Sequence, residues 1–224
     1  NGNVIQTLDT KPVSLSDVVI TDVIDDVAGG KDGKLQSGDF TNDSTPTIKG
    51  VIPNETGLAG SVVAIFDGNR QIGTAVIKDD ASFEFTPNQP LTSEEHTISV
   101  KLVGKSGDQA TSVAEFVINV DEIKPTTPDV VANPDGSVSV TPKDDSTKTE
   151  VKYKDENGNE HTFTAEKGDD GKWKPTSPDN GVKVDPDTGK ITIPADKIED
   201  GSEVTAKTED KAGNVSDEGK VVAG

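Results

Sequence analysis

The sequence predicts an all-β protein built as two tandem sandwich modules in line. Three observations carry that reading. Short stretches of alternating apolar and polar residues recur between turn signals, as half-buried strands require. No segment longer than a single turn shows helical periodicity. The chain also echoes itself: Ile98-Ser-Val-Lys-Leu-Val-Gly-Lys-Ser-Gly-Asp-Gln-Ala-Thr-Ser112 and Val204-Thr-Ala-Lys-Thr-Glu-Asp-Lys-Ala-Gly-Asn-Val-Ser216 are each a strand, a Lys-x-Gly-Asp/Asn turn and a second strand. A further echo pairs Asp79-Asp-Ala-Ser-Phe83 with Asp169-Asp-Gly-Lys-Trp173, an aromatic three residues after an acidic pair. Repeats of this kind mean two copies of one plan, here residues 1–122 and 123–224. Pro125-Thr-Thr-Pro128 reads as a short, semi-rigid linker.

The first module opens with an extended segment, Val18 to Ile24, and a long acidic loop over residues 25–44. Strand Thr45–Ile52, a turn at Asn54–Gly60, a hairpin of Val62–Phe66 with Ile72–Ile77, strand Ser82–Thr86 and the pair Thr97–Val103 with Ser112–Val120 follow. The alternation Val113, Phe116, Ile118, Val120 slips phase, which marks a bulge. The second module is sparser: Val138–Thr141, Thr149–Lys154, His161–Ala165, Lys172–Pro175, Val182–Val184, Lys190–Ile193, Glu203–Thr208 and Lys220–Val222. Asp155-Glu-Asn-Gly158 carries an Asn-Gly hairpin turn, and Asp185-Pro-Asp-Thr-Gly189 a turn in which Pro presets φ and Gly supplies positive φ. Pro194-Ala-Asp-Lys-Ile198 reads as one helical turn. Seven or so short strands per module, with turns every 8–12 residues, is the pattern of an immunoglobulin-like sandwich.

Composition narrows function. Of 224 residues, 30% are hydrophobic, with one Trp, one Tyr and neither Cys nor Met. So thin a core suits sandwiches, in which each strand buries one face. Without cysteine there are no disulfides, thiol catalysis or Cys-based zinc sites. Against 22 basic residues stand 41 acidic ones, a net charge of −19. That balance offers no footprint for nucleic acid or an anionic membrane, and no apolar run has the length for membrane insertion. The chain lacks an initiator Met, so it is expected to be an internal piece of a longer polypeptide. His96 and His161 fall in different modules, and no nucleophile elbow is present, so the expectation is a protein that is not an enzyme. Trp173 is expected to be a core aromatic matching Phe83.

Asp43-Ser-Thr-Pro-Thr-Ile-Lys-Gly50, Ser82-Phe-Glu-Phe-Thr-Pro87 and Thr208-Glu-Asp-Lys-Ala-Gly-Asn-Val-Ser216 resemble the bacterial Ig-like repeats of giant RTX-type and biofilm-associated surface adhesins. The resemblance runs from about Leu15 to the end. It implies an extracellular stalk on the bacterial cell surface that serves adhesion or biofilm formation. Its partners would be neighbouring Ig-like repeats of the same polypeptide and, through a distal domain, a host surface or other cells. In such repeats Ca2+ between modules stiffens the rod. The first module departs at the turn, with Gly104 in the place of Asp210 and Asp108 in that of Asn214.

Two explanations of the acidic excess stand side by side. One is a solvated surface whose Asp residues suit turns. The other is calcium, which takes carboxylate and carbonyl oxygens. For a junction ion the expected ligands are Asp121, Glu122, Asp145 and Asp210. Asp22, Asp25 and Asp26 are a loop contribution or a separate site. Asp39, Asp43 and Asp144 lie on the same loops. The alternative function is a ligand-binding adhesin module that contacts a host protein or glycan through loops of the first sandwich, chiefly residues 25–44.

Overall fold

The computed structural model describes residues 17–29, 32–53, 58–104 and 113–224. The expected turn at Asn54–Gly60, the Gly-rich stretch around Lys31 and the first-module turn with Asp108 fall partly or wholly outside these residues, as does Leu15. The described chain forms two compact units that divide between Val120 and Asp121, with Ala28 and Gly29 grouped with the second.

The first unit contains β1 (Val19–Asp25), β2 (Gly33–Lys34), β3 (Phe40–Thr41), β4 (Thr47–Val51), β5 (Val62–Asp67), β6 (Arg70–Val76), β7 (Ser82–Phe85), β8 (Glu95–Val103) and β9 (Ala114–Val120). They make a four-stranded sheet in the order β2-β1-β4-β7 and a five-stranded sheet in the order β3-β9-β8-β5-β6. The burial of β8 alternates strictly, with His96, Ile98, Val100 and Leu102 buried between half-exposed neighbours. The hydrophobic core between the sheets adds Val23, Ile48, Val63, Ile65, Phe83 and Ile118. Full burial of such a side chain contributes about 1.5–3 kcal/mol.

The predicted bulge near Phe116 is absent. The β8–β9 register is regular from Glu95↔Asn119 to Val100↔Ala114. Ala114, Phe116, Ile118 and Val120 keep one face, and the phase seemed to slip because Val113 lies before the strand. Register shifts occur instead between Ile20 and Asp22 on β1 and between Ile65 and Phe66 on β5.

The second unit contains β10 (Asp129–Ala132), β11 (Val138–Thr141), β12 (Lys148–Lys154), β13 (Glu160–Lys167), β14 (Trp173–Pro175), β15 (Lys183–Val184), β16 (Ile191–Ile193), a 3-10 turn (Ala195–Lys197), β17 (Glu203–Glu209) and β18 (Gly219–Val222). Its sheets run β10-β11-β16-β15 and β14-β13-β12-β17-β18. Both units are therefore immunoglobulin-like sandwiches. No helix of the described residues is long and apolar enough to cross a membrane.

The acidic-pair echo is real at the turn and lost after it. Ala81 N donates to Lys78 O (3.0 Å) and Gly171 N to Gly168 O (2.9 Å). Asp80 and Asp170 accept the N–H of Ser82 and Lys172 in the same way. Yet β7 crosses to pair with β4, whereas β14 stays beside β13. Phe83 packs over Gly50, where a Cβ would lie 2.3 Å from its ring. Trp173, 5% exposed, packs over Gly189.

Two expected outcomes follow from this packing. Gly189 has φ +76°, and a Cβ there would lie 2.6 Å from the indole. Gly189→Ala should cost about 2–4 kcal/mol through overpacking and left-handed strain. Trp173 is the only tryptophan, so urea unfolding followed by its fluorescence reads this unit directly. A loss under about 0.5 kcal/mol would contradict the packing, since strain alone should exceed it. The second concerns Asp155, whose carboxyl is drawn down to about 2 by the His161 ring and the N–H groups of Asn159 and Asn157. A depressed carboxyl stabilises the fold above its unfolded value near 3.8 and stops doing so as pH falls through about 2. Asp155→Asn should flatten the decline of second-unit stability between these values. An unchanged acid limb would refute the role.

Candidate functional site

One local interaction recurs at many turns of the described residues. Asp25, Asp43, Asp80, Asp121, Asp135, Asp155, Asp170, Asp179, Asp185 and Asp210 each accept the backbone N–H of the residue two positions ahead. The Asp side chain has the length to mimic a backbone carbonyl in this ring. Three of the seven predicted metal ligands, Asp25, Asp121 and Asp210, are therefore also turn acceptors.

The turn that carried the resemblance shows this most fully. Asp210 Oδ1 accepts Ala212 N (3.0 Å) and Asn214 N (2.9 Å), while Oδ2 accepts Asn214 Nδ2 (3.0 Å). Gly213, with φ +94°, closes the ring. Asp155-Glu-Asn-Gly-Asn159 repeats the arrangement: Asp155 Oδ1 accepts Asn157 N and Asn159 N, both at 2.9 Å. The surroundings differ. His161 Nε2 meets Asp155 Oδ2 at 2.7 Å and lowers it. Burial raises Asp210, and the Asp121 carboxylate adds to the rise, against the N–H groups that lower it.

The stretch read as a linker is docked on the second unit. Asn214 Nδ2 donates to Asp121 O (2.7 Å). Asp145 Oδ2 accepts Thr126 N (3.0 Å) and Thr126 Oγ1 (3.1 Å). Lys124 pairs with Asp217 (3.2 Å), and Pro125 and Pro128 are buried. Asp121, Asp145 and Asp210 thus all belong to one end of this unit, while Glu122 is exposed. Asn214 is the central residue there. The Asp-x-x-Gly-Asn spacing was its signal, legible once the same spacing at Asp155 is set beside it.

In the first unit, the loop of residues 25–44 is less open than its length suggests. Leu35 is buried, β2 pairs with β1, and β3 lies parallel to β9. Asp25, fully buried, accepts Val27 N (2.8 Å) and Thr41 Oγ1 (2.5 Å). It ties the end of β1 in one sheet to β3 in the other. Asp43 accepts Asp26 N (3.1 Å) and Thr45 N (2.9 Å). Burial raises the Asp43 carboxyl, and the neighbouring Asp26 carboxylate adds to the rise. Asp22 stands apart, paired with Lys34 at 3.2 Å and lowered mainly by it.

Calcium takes six to eight oxygens, several of them carboxylate. Among the described residues no group of three or more His, Asp or Glu side chains is gathered to hold a metal. The donor chemistry that suits a hard cation is Asp43 with Asp26 beside it: burial and the neighbouring carboxylate oppose ionisation of Asp43, and a cation bound there would relieve both. The histidines do not contribute: His96 is bonded to Asp67 and His161 to Asp155.

Both units share one directional property. In the first, Asp25 at the end of β1 reaches Thr41, which is in register with Val120 at the end of β9. β1 and β9 therefore finish at the same pole. In the second, β10 starts beside Thr141, on the flank of Lys143, and β18 finishes beside Glu203 and Ser202, at the other end. In each unit the chain enters at one pole and leaves at the opposite one.

With that geometry in place, the sequence profile of the Bacterial Ig-like domain family matches residues 18–122. The first unit is similar to bacterial Ig-like domains over that span. Among curated protein sequences, none matches this chain. Similar solved structures include the BSP domain of a biofilm associated protein, at 23% identity over 85% of this chain and 29% of that one, TM-score 0.30. A tetra-tandem repeat from the extending region of a large adhesion protein matches at 17% identity over 84% and 48%, TM-score 0.30. The fibronectin(III)-like modules of Clostridium thermocellum CbhA match at 13% identity over 91% of both chains, TM-score 0.41. The chain spans under a third of the first of these and about half of the second.

In the first unit, Asp25→Ala should leave the buried hydroxyl of Thr41 without its acceptor and release the N–H of the exposed Val27. Leaving a buried group unsatisfied costs about 1–3 kcal/mol. Hydrogen exchange on the intact chain should show lost protection at residues 38–41 and 117–120, with the second unit unaffected. Unchanged protection there would show that Asp25 does not tie the two sheets together.

Proposed function

We propose that the chain is an extracellular stalk segment of a large bacterial surface adhesin, serving adhesion or biofilm formation and carrying no catalysis of its own. The observation that supports this most is the pole-to-pole course of the chain in each unit. A module that takes the chain in at one end and releases it at the other adds its own length to a tandem array. Its neighbours are then further Ig-like repeats of the same polypeptide. The match of residues 18–122 to the bacterial Ig-like domain family points the same way, as does the dense acidic surface, which keeps a displayed rod soluble.

Calcium belongs to the same proposal. Two sandwiches in one chain move freely unless something fixes them. The carboxylates of the Asp25–Asp43 loop and those flanking the 121–128 stretch are the groups that a hard cation would neutralise. Asp26 and Asp43 are the pair that gains most.

Small-angle scattering and a melting curve, each run with calcium and then with excess chelator, test this part. Calcium should narrow the distribution of shapes and raise the melting temperature. Saturation at a hundred times the dissociation constant adds about 2.7 kcal/mol. Asp26→Asn combined with Asp43→Asn should abolish the response. Indifference to calcium would leave the carboxylates as turn acceptors and solvated surface. Antibody labelling of intact producing cells tests the location, and labelling only after lysis would overturn the stalk reading.

A further inference from the structure

The two units differ in where their first and last strands sit, and the difference matters for a chain loaded in tension. In the first unit both terminal strands are interior. β1 lies between β2 and β4, and β9 lies between β3 and β8. In the second unit both are edges. β10 is flanked only by β11, and β18 only by β17.

Because each unit's chain enters and leaves at opposite poles, a pull on the chain runs along these strands. It shears their ladders, so the hydrogen bonds along a strand share the load instead of parting one at a time. β9 is held on one flank by register pairs from Glu95↔Asn119 to Val100↔Ala114. On its other flank, Gly38 N donates to Val117 O (2.8 Å) and Asn119 N to Asp39 O (3.0 Å). Val117 N donates to Ser37 Oγ (2.9 Å) and Asn119 Nδ2 to Gly38 O (2.9 Å). Residues 37–41 thus form a strip along the last strand, anchored at its base by Asp25 through Thr41. β1 has five register pairs with β4 and two with β2.

β18 has four register pairs with β17, continued by the bonds of Ala223 with Ser202 and Gly201 on that same flank. Its other side packs on β10 with no ladder. Gly219 approaches Pro128 so closely that a Cβ would lie 2.6 Å from the carbonyl oxygen. β10 has four register pairs with β11 alone.

We propose that the units form a mechanical hierarchy. Under tension the second unit yields first and releases its length, while the first holds through the strip of residues 37–41 along β9. The value of such a device to the cell rests on the stalk reading above. The force order itself is a property of the folded chain and holds whether or not a cell uses it. Forced unfolding reads the unfolding rate rather than equilibrium stability, so equal melting temperatures would not contradict the hierarchy.

The test is single-molecule extension of the full chain held by its two ends, in calcium and in chelator. A short Gly-Ser insertion between the exposed Pro178 and Asp179, in the loop that joins β14 to β15, lengthens the second unit's step and so labels it. The expected record shows two ruptures, with the lengthened step at the lower force. Ser37→Ala with Asn119→Ala removes two strip bonds at exposed positions. It should lower the second rupture force and leave the first where it was. The proposal is overturned if the lengthened step comes second, if both ruptures occur at one force, or if the double variant shifts both ruptures or neither. If cell-surface labelling fails while the force order holds, the stalk reading falls and the hierarchy stands.

Discussion

Many changes of direction among the described residues lean on an aspartate that accepts the N–H two residues ahead. The core is thin, so no strand can compensate for a turn whose polar groups go unmet, and loops near the poles come close to burial. An Asp in the first position of the turn meets the stranded N–H with a charged acceptor, a stronger bond than a neutral one. Part of the net charge of −19 is explained on that ground. It is the outlay for building many tight turns without help from bulk in the core.

The same device serves different ends in different surroundings. Asp155 and Asp210 head identical five-residue turns, yet one is pulled down by a histidine and the other pushed up by burial. At Asp155 the charge is stabilised in the fold. At Asp210 ionisation costs the folded state something that protonation would relieve. Asp43 is in the second condition as well. The acidic groups are therefore not one population: the fold stabilises the charge of some and opposes that of others.

The two units show how one plan tolerates different edges. Both carry a hairpin turn that leads to a core aromatic packed over a glycine. After that turn the first unit switches sheets and the second does not, so Phe83 and Trp173 fill their cores from opposite layers. The long loop of the first unit contributes β2 and β3, which cover the flanks of β1 and β9. The second unit has no counterpart, and its terminal strands stay at the edges. The loop that the sequence offers as a binding surface also covers the edges of two strands in the fold.

Period-two alternation determined the all-β class and nearly every long strand, because side-chain direction along a strand is a local property. Turn chemistry at Asp155, Asp185 and Asp210 was legible for the same reason, since each ring closes within five residues. What the tertiary structure decided is non-local. β2 and β3 are two residues each, too short to carry a period, and exist only because β1 and β9 offer them free edges. Asp129–Ala132 follows the linker with no predicted strand, and is one through its pairing with β11. Asp22 and Asp25 are three residues apart, yet one is bound to Lys34 and the other to Thr41. Asp26 met Asp43 through a loop closure of 17 residues. Spacing in sequence does not encode such a closure, because it depends on where the ends of two sheets come to lie.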